Sequence, residues 1–172
     1  AIVTDTASIA TFADHDISKI VLDRSSGSEE SSSFLLSNDA NEWSVGPDSL
    51  CAIIFTSGST GQPKGVAMRH SGLANNLSSM SQLLRFDQQS SLVAVTTAAF
   101  DASLFELTLP LWSGGCVDIA EDTIRRDPHA LIDRMSKSSP EAMFGTTASW
   151  QMLLDQGWAG NPNLKIVCGG EA

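Results

Sequence analysis

The chain has 172 residues, 42% of them apolar and 17% charged, enough for a domain with a real hydrophobic core and too apolar for wholesale disorder. Twenty Asp and Glu against ten Lys and Arg leave a formal net charge of -10. That balance argues against a nucleic-acid partner, because a broad nucleic-acid surface must neutralise many phosphates.

In chain order, Ala1 to Thr4 and Ser18 to Leu22 read as short strands, with a short helix between Thr6 and Ala13. Arg24 to Ser33, RSSGSEESSS, is too polar and too low in complexity to pack, and reads as a flexible solvated loop. A second polar stretch, Ser37 to Ser49, leads into Leu50-Cys51-Ala52-Ile53-Ile54-Phe55. This continuous apolar run is expected to be a buried strand rather than a half-exposed one. Val66 to Met68 is a further short strand. His70 to Leu84 follows as a helix, with Leu73, Leu77, Met80 and Leu84 along one face. Ser91 to Thr97 is a strand, Ala102 to Leu111 a helix and Cys116 to Ile119 a strand. Asp127 to Met135 opens on Asp-Pro, an N-cap followed by proline at the first helical position. Ala142 to Phe144 is a strand, Thr147 to Leu154 a helix and Leu164 to Val167 a strand. The alternation predicts an α/β fold in which helices layer a largely parallel sheet.

Three widely spaced cysteines, Cys51, Cys116 and Cys168, form neither a CxxC pair nor a disulfide framework. They read as reduced, partly buried thiols of an intracellular protein. His15, His70 and His129 are scattered, so no zinc site is expected, and no apolar stretch is long enough to span a bilayer. There is no start methionine and no signal-peptide pattern, and the chain stops just after a strand enters a Gly-Gly turn. Both ends are expected to be cuts in something longer.

The most informative stretch is Phe55 to Gly65, FTSGSTGQPKG. Glycines let the backbone approach a ligand closely, hydroxyls add neutral donors, and Lys64 adds charge, all of which suit phosphate. A Walker A loop is excluded because Pro63 and Gly65 flank Lys64. The GxGxxG dinucleotide fingerprint and the GxSxG nucleophile elbow are absent too. On residues alone the stretch reads either as a phosphate cradle or as an ordinary surface loop. Asp101 likewise has a local reading as a helix N-cap, with Ser103 and Glu106 able to form a capping box.

Thr56 to Gly65, TSGSTGQPKG, closely resembles the phosphate loop of the adenylate-forming enzymes: acyl-CoA synthetases, luciferases and the adenylation domains of nonribosomal peptide synthetases. Phe100 to Glu106, FDASLFE, resembles the F-D-x-S segment of those adenylation domains. The terminal Cys168-Gly169-Gly170-Glu171-Ala172 resembles their G-G-E-x segment. The resemblance runs from about Leu50 to the end. Residues before Leu50 fit the family's layout without a diagnostic motif.

The resemblance implies part of an AMP-binding adenylation domain, covering 1–172 and lacking the small C-terminal domain. Thr56, Ser57, Gly58, Ser59, Thr60, Gly61, Lys64 and Gly65 would hold the β- and γ-phosphates of ATP, with magnesium as counterion. Asp101 would pair with the α-ammonium of an amino-acid substrate. Ala102, Phe105, Gly145, Val167 and Gly169 would line its side-chain cavity, the two glycines leaving room for a bulky apolar or aromatic amino acid. None of these cavity positions carries a charge for a charged side chain. Glu171 is a further candidate contact to the nucleotide. The implied reaction makes an aminoacyl adenylate and passes the aminoacyl group to the phosphopantetheine thiol of a carrier domain, in the cytoplasm.

The family's N-x-Y-G-P-T-E segment, its ribose-binding Asp and its catalytic Lys have no counterpart here, so no catalytic or metal-ligating residue is assigned and the chain alone is expected to be inactive. The alternatives are a piece of an acyl-CoA or aryl-acid ligase, or a non-catalytic nucleotide-binding remnant. Arg85, Arg125 and Arg126 read as solvated surface residues. Trp43, Trp112, Trp150 and Trp158 read as packing residues.

Overall fold

In the computed structural model, residues 2–4, 9–14, 19–21, 45–57 and 61–170 are described. The chain divides into two units, Ala1–Ser44 and Val45–Ala172. In the first unit, β1 (Ile2–Thr4) pairs in parallel with β2 (Lys19–Val21), and a 3-10 turn spans Ile9–Phe12. The loop at 24–33 and Trp43 lie outside the described residues.

The second unit begins with an antiparallel hairpin. Strand β3 (Leu50–Thr56) pairs with β4 (Lys64–Arg69), Thr56 opposite Lys64 and Ile53 opposite Ala67, with an irregularity between Leu50 and Ala52. The expectation of a buried β3 is corrected here. Ile53 is 54% and Phe55 67% exposed, and Leu50 and Val66 are exposed as well. A continuous apolar run signals burial on both faces only where something covers both faces. Among the described residues this two-stranded ribbon has no such cover.

The remainder is a three-layer arrangement around a four-stranded parallel sheet of order β6-β5-β7-β8. Helix α1 (His70–Leu84) follows β4 directly and leads to β5 (Ser91–Ala94). Then come α2 (Ala102–Trp112), β6 (Cys116–Ile119), α3 (Asp122–Arg125), α4 (Pro128–Ser138), β7 (Ala142–Gly145), α5 (Thr147–Asp155) and β8 (Lys165–Cys168). Strand alternation sorts the core into two clusters. Leu92, Ala94 and Ala142 pack with Leu77, Phe86 and Leu109 beneath α1 and α2. Val93 and Met143 face the other way, against Leu131, Met135, Trp150 and Leu153 of α4 and α5.

Local chemistry sets most helix boundaries. At α4 the Asp127 carboxylate accepts from the His129 and Ala130 N–H groups, at 2.9 and 3.3 Å, and Pro128 starts the helix. At α5 the Thr146 hydroxyl accepts from the Ser149 N–H at 3.1 Å. Helix α1 ends at Arg85 in the left-handed conformation (φ 51°), with the Phe86 N–H returning to the Ser81 carbonyl at 2.9 Å.

Several expectations change. Cys116 and Cys168 are exposed and only Cys51 is half-buried. Trp112 is exposed, whereas Trp150 is buried and stacks on Trp158 with ring centroids 5.6 Å apart. Arg125 lies on the short helix α3, which carries no periodic signal, with its side chain mostly covered and bonded to Asp122 at 2.7 Å.

A bidentate ion pair ties β6 to α4: the Arg134 guanidinium donates to both carboxylate oxygens of Asp118. Hydrogen bonding from Arg134 holds the Asp118 carboxyl below its ordinary value of 3.8. Its stabilising effect is therefore complete above that value and is lost as pH falls through the lower folded-state value. Asp118→Asn should flatten the acid side of the stability–pH curve below about pH 4 while leaving its slope from pH 6 to 8 unchanged, as read by denaturant midpoints across that range.

Candidate functional site

The order β6-β5-β7-β8 means that the chain moves to one side of β5 to form β6, then crosses back to form β7 on the other side. A crevice outside the carboxyl ends of β5 and β7, at such a reversal, is where open parallel sheets bind ligands. A cavity of about 1120 Å³ lies there. That exceeds the ~300–1,000 Å³ of ordinary small-molecule sites, so it has room for more than a free amino acid.

Helix α1 and the end of β4 supply one wall through Met68, Arg69, Gly72, Leu73, Asn76 and Met80. The β5–α2 connection supplies Thr96, Phe100 and Asp101, and α2 supplies Ala102, Leu104 and Phe105. Phe144 and Thr146 come from the end of β7, Thr147 and Ala148 from the start of α5, and Val167, Gly169 and Gly170 from the end of β8. Five of the six proposed substrate-binding residues, Asp101, Ala102, Phe105, Val167 and Gly169, thus meet in one cavity.

Gly145 does not line it, which corrects that expectation. Along β7, Met143 and Gly145 point toward α4 and α5, and a Cβ at Gly145 would lie 2.9 Å from the Trp150 indole nitrogen. That nitrogen is buried without a partner among the described residues. Phe144, the next residue back, takes the cavity position instead. Its ring meets Phe105 edge-on, with centroids 6.1 Å apart. A Cβ at Gly169 would come within 3.1 Å of the Phe144 ring, and Gly170 adopts φ 109°, so the close approach and the turn each call for glycine.

Among the described residues, Asp101 is the one acidic side chain in the cavity wall. It is the N-cap of α2, where its Oδ1 accepts from the Ala102 N–H at 2.9 Å, leaving the second oxygen for another donor. Asp101 is exposed. The other charge among the described lining residues, Arg69, was not anticipated. It sits at the start of α1 and makes an exposed ion pair with Asp48 at 3.1 Å, a contact worth little in solvent.

The anticipated capping box is also absent. The Glu106 side chain turns inward, 0% exposed. Its Oε2 accepts from the Val95 and Thr96 N–H groups, at 2.9 and 2.8 Å, and its Oε1 accepts from the Thr96 hydroxyl at 2.7 Å. This explains why β5 stops at Ala94 rather than at Thr97: the next two N–H groups turn away from the sheet to meet a carboxylate. Burial pushes the Glu106 carboxyl above the usual carboxylate range, against the three donors that favour its ionised form.

The phosphate-loop candidates lie elsewhere in the unit. Thr56 and Lys64 close the β3–β4 hairpin, with the Thr56 hydroxyl 3.5 Å from the Lys64 carbonyl, and Gly61 adopts φ 81°. Ser57 and Gly65 flank them, while Gly58, Ser59, Thr60 and Glu171 lie outside the described residues. Lys64 and Met68 share a face of β4, roughly 13–14 Å apart along the strand, so the hairpin tip stands off from the cavity by about that length. The described loop residues bring hydroxyls, N–H groups and a cation but no carboxylate. That donor set suits phosphate oxygens and lacks the one or two carboxylates through which magnesium is commonly held. Among the described residues no three His, Cys, Asp or Glu side chains gather.

A family model for AMP-binding enzymes matches residues 1–172. A PKS-NRPS hybrid synthetase of Aspergillus candidus is 40% identical over 129 residues, which is 74% of this chain and 5% of that protein. A dimodular nonribosomal peptide synthase of Bacillus subtilis is 40% identical over 129 residues, 75% of this chain and 5% of its own length. The chain thus spans about one-twentieth of these relatives. Among solved structures, a four-domain nonribosomal peptide synthetase bound to AMP and glycine superposes with a TM-score of 0.75 at 32% identity, covering 100% of this chain and 12% of that one. A Vibrio cholerae adenylation domain in complex with glycyl-adenosine-5'-phosphate shares the fold, with a TM-score of 0.61 at 21% identity over 66% of this chain and 21% of that one.

Because a Cβ at Gly145 would meet Trp150 rather than the cavity, Gly145→Ala should cost about 1–3 kcal/mol of stability through overpacking. Ligand preference should be unchanged. Chemical denaturation checks the first outcome and a substrate panel the second.

Proposed function

The chain belongs to the AMP-binding enzyme family, and on that premise we propose that it forms part of an amino-acid-activating adenylation domain of a nonribosomal peptide synthetase. The observation that carries this reading is Asp101, the single carboxylate among the described residues of a cavity whose remaining described wall is largely apolar. An amino acid offers that carboxylate an ammonium group, whereas a fatty or aryl acid offers nothing to offset its desolvation. Phe105, Phe144 and Val167 then meet the substrate side chain, and the absence of a side chain at Gly169 leaves space beside Phe144. This wall suits a bulky apolar or aromatic amino acid.

In the proposed reaction a substrate carboxylate oxygen bonds to the α-phosphorus of ATP as the bond from that phosphorus to pyrophosphate breaks. The products are an aminoacyl adenylate and pyrophosphate. Thr56, Ser57, Gly61, Lys64 and Gly65, with Gly58, Ser59 and Thr60, hold the departing phosphates, and Lys64 offsets their charge. Magnesium accompanies ATP in such chemistry, and the described loop residues offer it hydroxyls but no carboxylate. The phosphopantetheine thiol of a carrier domain then takes the aminoacyl group as a thioester, breaking the acyl–phosphate bond and releasing AMP and the thiol proton. Among the described residues no helix is long and apolar enough to cross a membrane. We place the reaction in the cytoplasm, with no membrane or nucleic-acid partner.

Amino-acid-dependent pyrophosphate exchange by the synthetase carrying this chain tests the reading. Asp101→Ala should lower kcat/KM for the amino acid by at least about thirtyfold, equivalent to about 2 kcal/mol. Lys64→Ala should lower kcat by roughly a hundredfold with little effect on the amino-acid KM. An Asp101→Ala enzyme that keeps its activity and its preference would point instead to an acyl or aryl acid substrate. The 172-residue chain alone should support no exchange, and appreciable amino-acid-dependent exchange from it would overturn that part of the proposal.

A further inference from the structure

Glu106 is the one carboxylate among the described residues that is withdrawn completely from solvent, and no cation pairs with it there. Burying an unpaired charge is costly, and an apolar residue would fill the same volume at lower cost. What the carboxylate does is hold backbone. The last strand pairings of β5 are Ala94 with Ile119 on one side and Val93 with Met143 on the other, so the Val95 and Thr96 N–H groups lie beyond its ladders. Both go to Glu106.

The far end of the same connection is tied to the same helix. Ser103, one turn before Glu106 and 2% exposed, donates its hydroxyl to the Phe100 carbonyl at 2.6 Å. The Phe100 N–H returns to the Thr97 carbonyl at 3.1 Å. The segment from Val95 to Asp101 is therefore pinned at both ends by buried polar side chains of α2. Three of its residues, Thr96, Phe100 and Asp101, line the cavity.

We propose that Glu106 is a positioning residue: it fixes the segment that presents Asp101 and Thr96 to the substrate, and so sets amino-acid binding without touching the amino acid. This rests on the amino-acid-activating reading above. A carboxylate suits the task because its two oxygens accept three hydrogen bonds in a fixed fork. An amide can reproduce the fork, with its oxygen accepting both N–H groups and its NH2 donating to the Thr96 hydroxyl. Alanine cannot, and aspartate is one methylene too short.

The test uses the intact synthetase. Glu106→Ala should raise the amino-acid KM at least tenfold with the ATP KM changed less than twofold, and Glu106→Gln should stay within threefold of wild type on both. Backbone amide exchange in the same proteins should show at least tenfold loss of protection over 95–101 in Glu106→Ala, with 142–145 unaffected. A folded Glu106→Ala enzyme whose amino-acid KM stays within twofold would overturn the proposal. So would parallel rises in both KM values, or unchanged exchange. Should Glu106→Ala fail to fold, Glu106→Asp is read by the same criteria. If the wild-type synthetase shows no exchange with any amino acid, the functional reading fails, and protection over 95–101 alone decides whether Glu106 holds the segment.

Discussion

Two backbone N–H groups just past the end of β5 are claimed by a side chain instead of a neighbouring strand, and the cavity's charged wall depends on that exchange. Glu106 takes the Val95 and Thr96 donors, so the chain leaves the sheet after Ala94 and turns toward α2. Ser103 secures the Phe100 carbonyl, and Asp101 then starts the helix as its cap. Helix α2 both packs the core through Leu109 and organises the connection that precedes it. A change in the pitch or register of this one helix would move the core and the cavity together.

Two carboxylates five residues apart on this segment occupy opposite environments. Asp101 is exposed and uses one oxygen to cap, whereas Glu106 is fully buried and uses both oxygens to clamp. The difference suits their proposed tasks. A group that must meet a substrate cation needs access and a free lone pair. A group that must hold backbone needs neither, and its seclusion from water strengthens each hydrogen bond it accepts. The apolar side of the cavity follows comparable logic: Phe105 and Phe144 meet edge to face because β7 alternation brings Phe144, and not Gly145, to that side, and Gly169 lets the ring approach the backbone.

The hairpin follows another principle. Its apolar residues Ile53, Phe55 and Val66 face outward, and its tip carries the glycine- and hydroxyl-rich loop. A two-stranded ribbon places a loop at a distance from the sheet that bears the cavity. That separation suits a ligand with two chemically distinct ends, one met by Asp101 and the apolar wall and the other by hydroxyls and a lysine.

Much of this protein was legible in the residues alone, wherever a signal acts within a few positions. Asp127-Pro128 marks a helix start, Leu73, Leu77 and Met80 mark the packed face of α1, and alternating strands and helices indicate a layered parallel sheet. The ten-residue loop motif and FDASLFE indicate the family from the residues alone. Tertiary structure alone decided the rest. Whether β3 is covered, whether Glu106 reaches back to its own helix or inward to β5, and which face of β7 meets the cavity all depend on partners distant in sequence. Capping and periodicity are local properties of the chain; burial and strand facing belong to what packs against it.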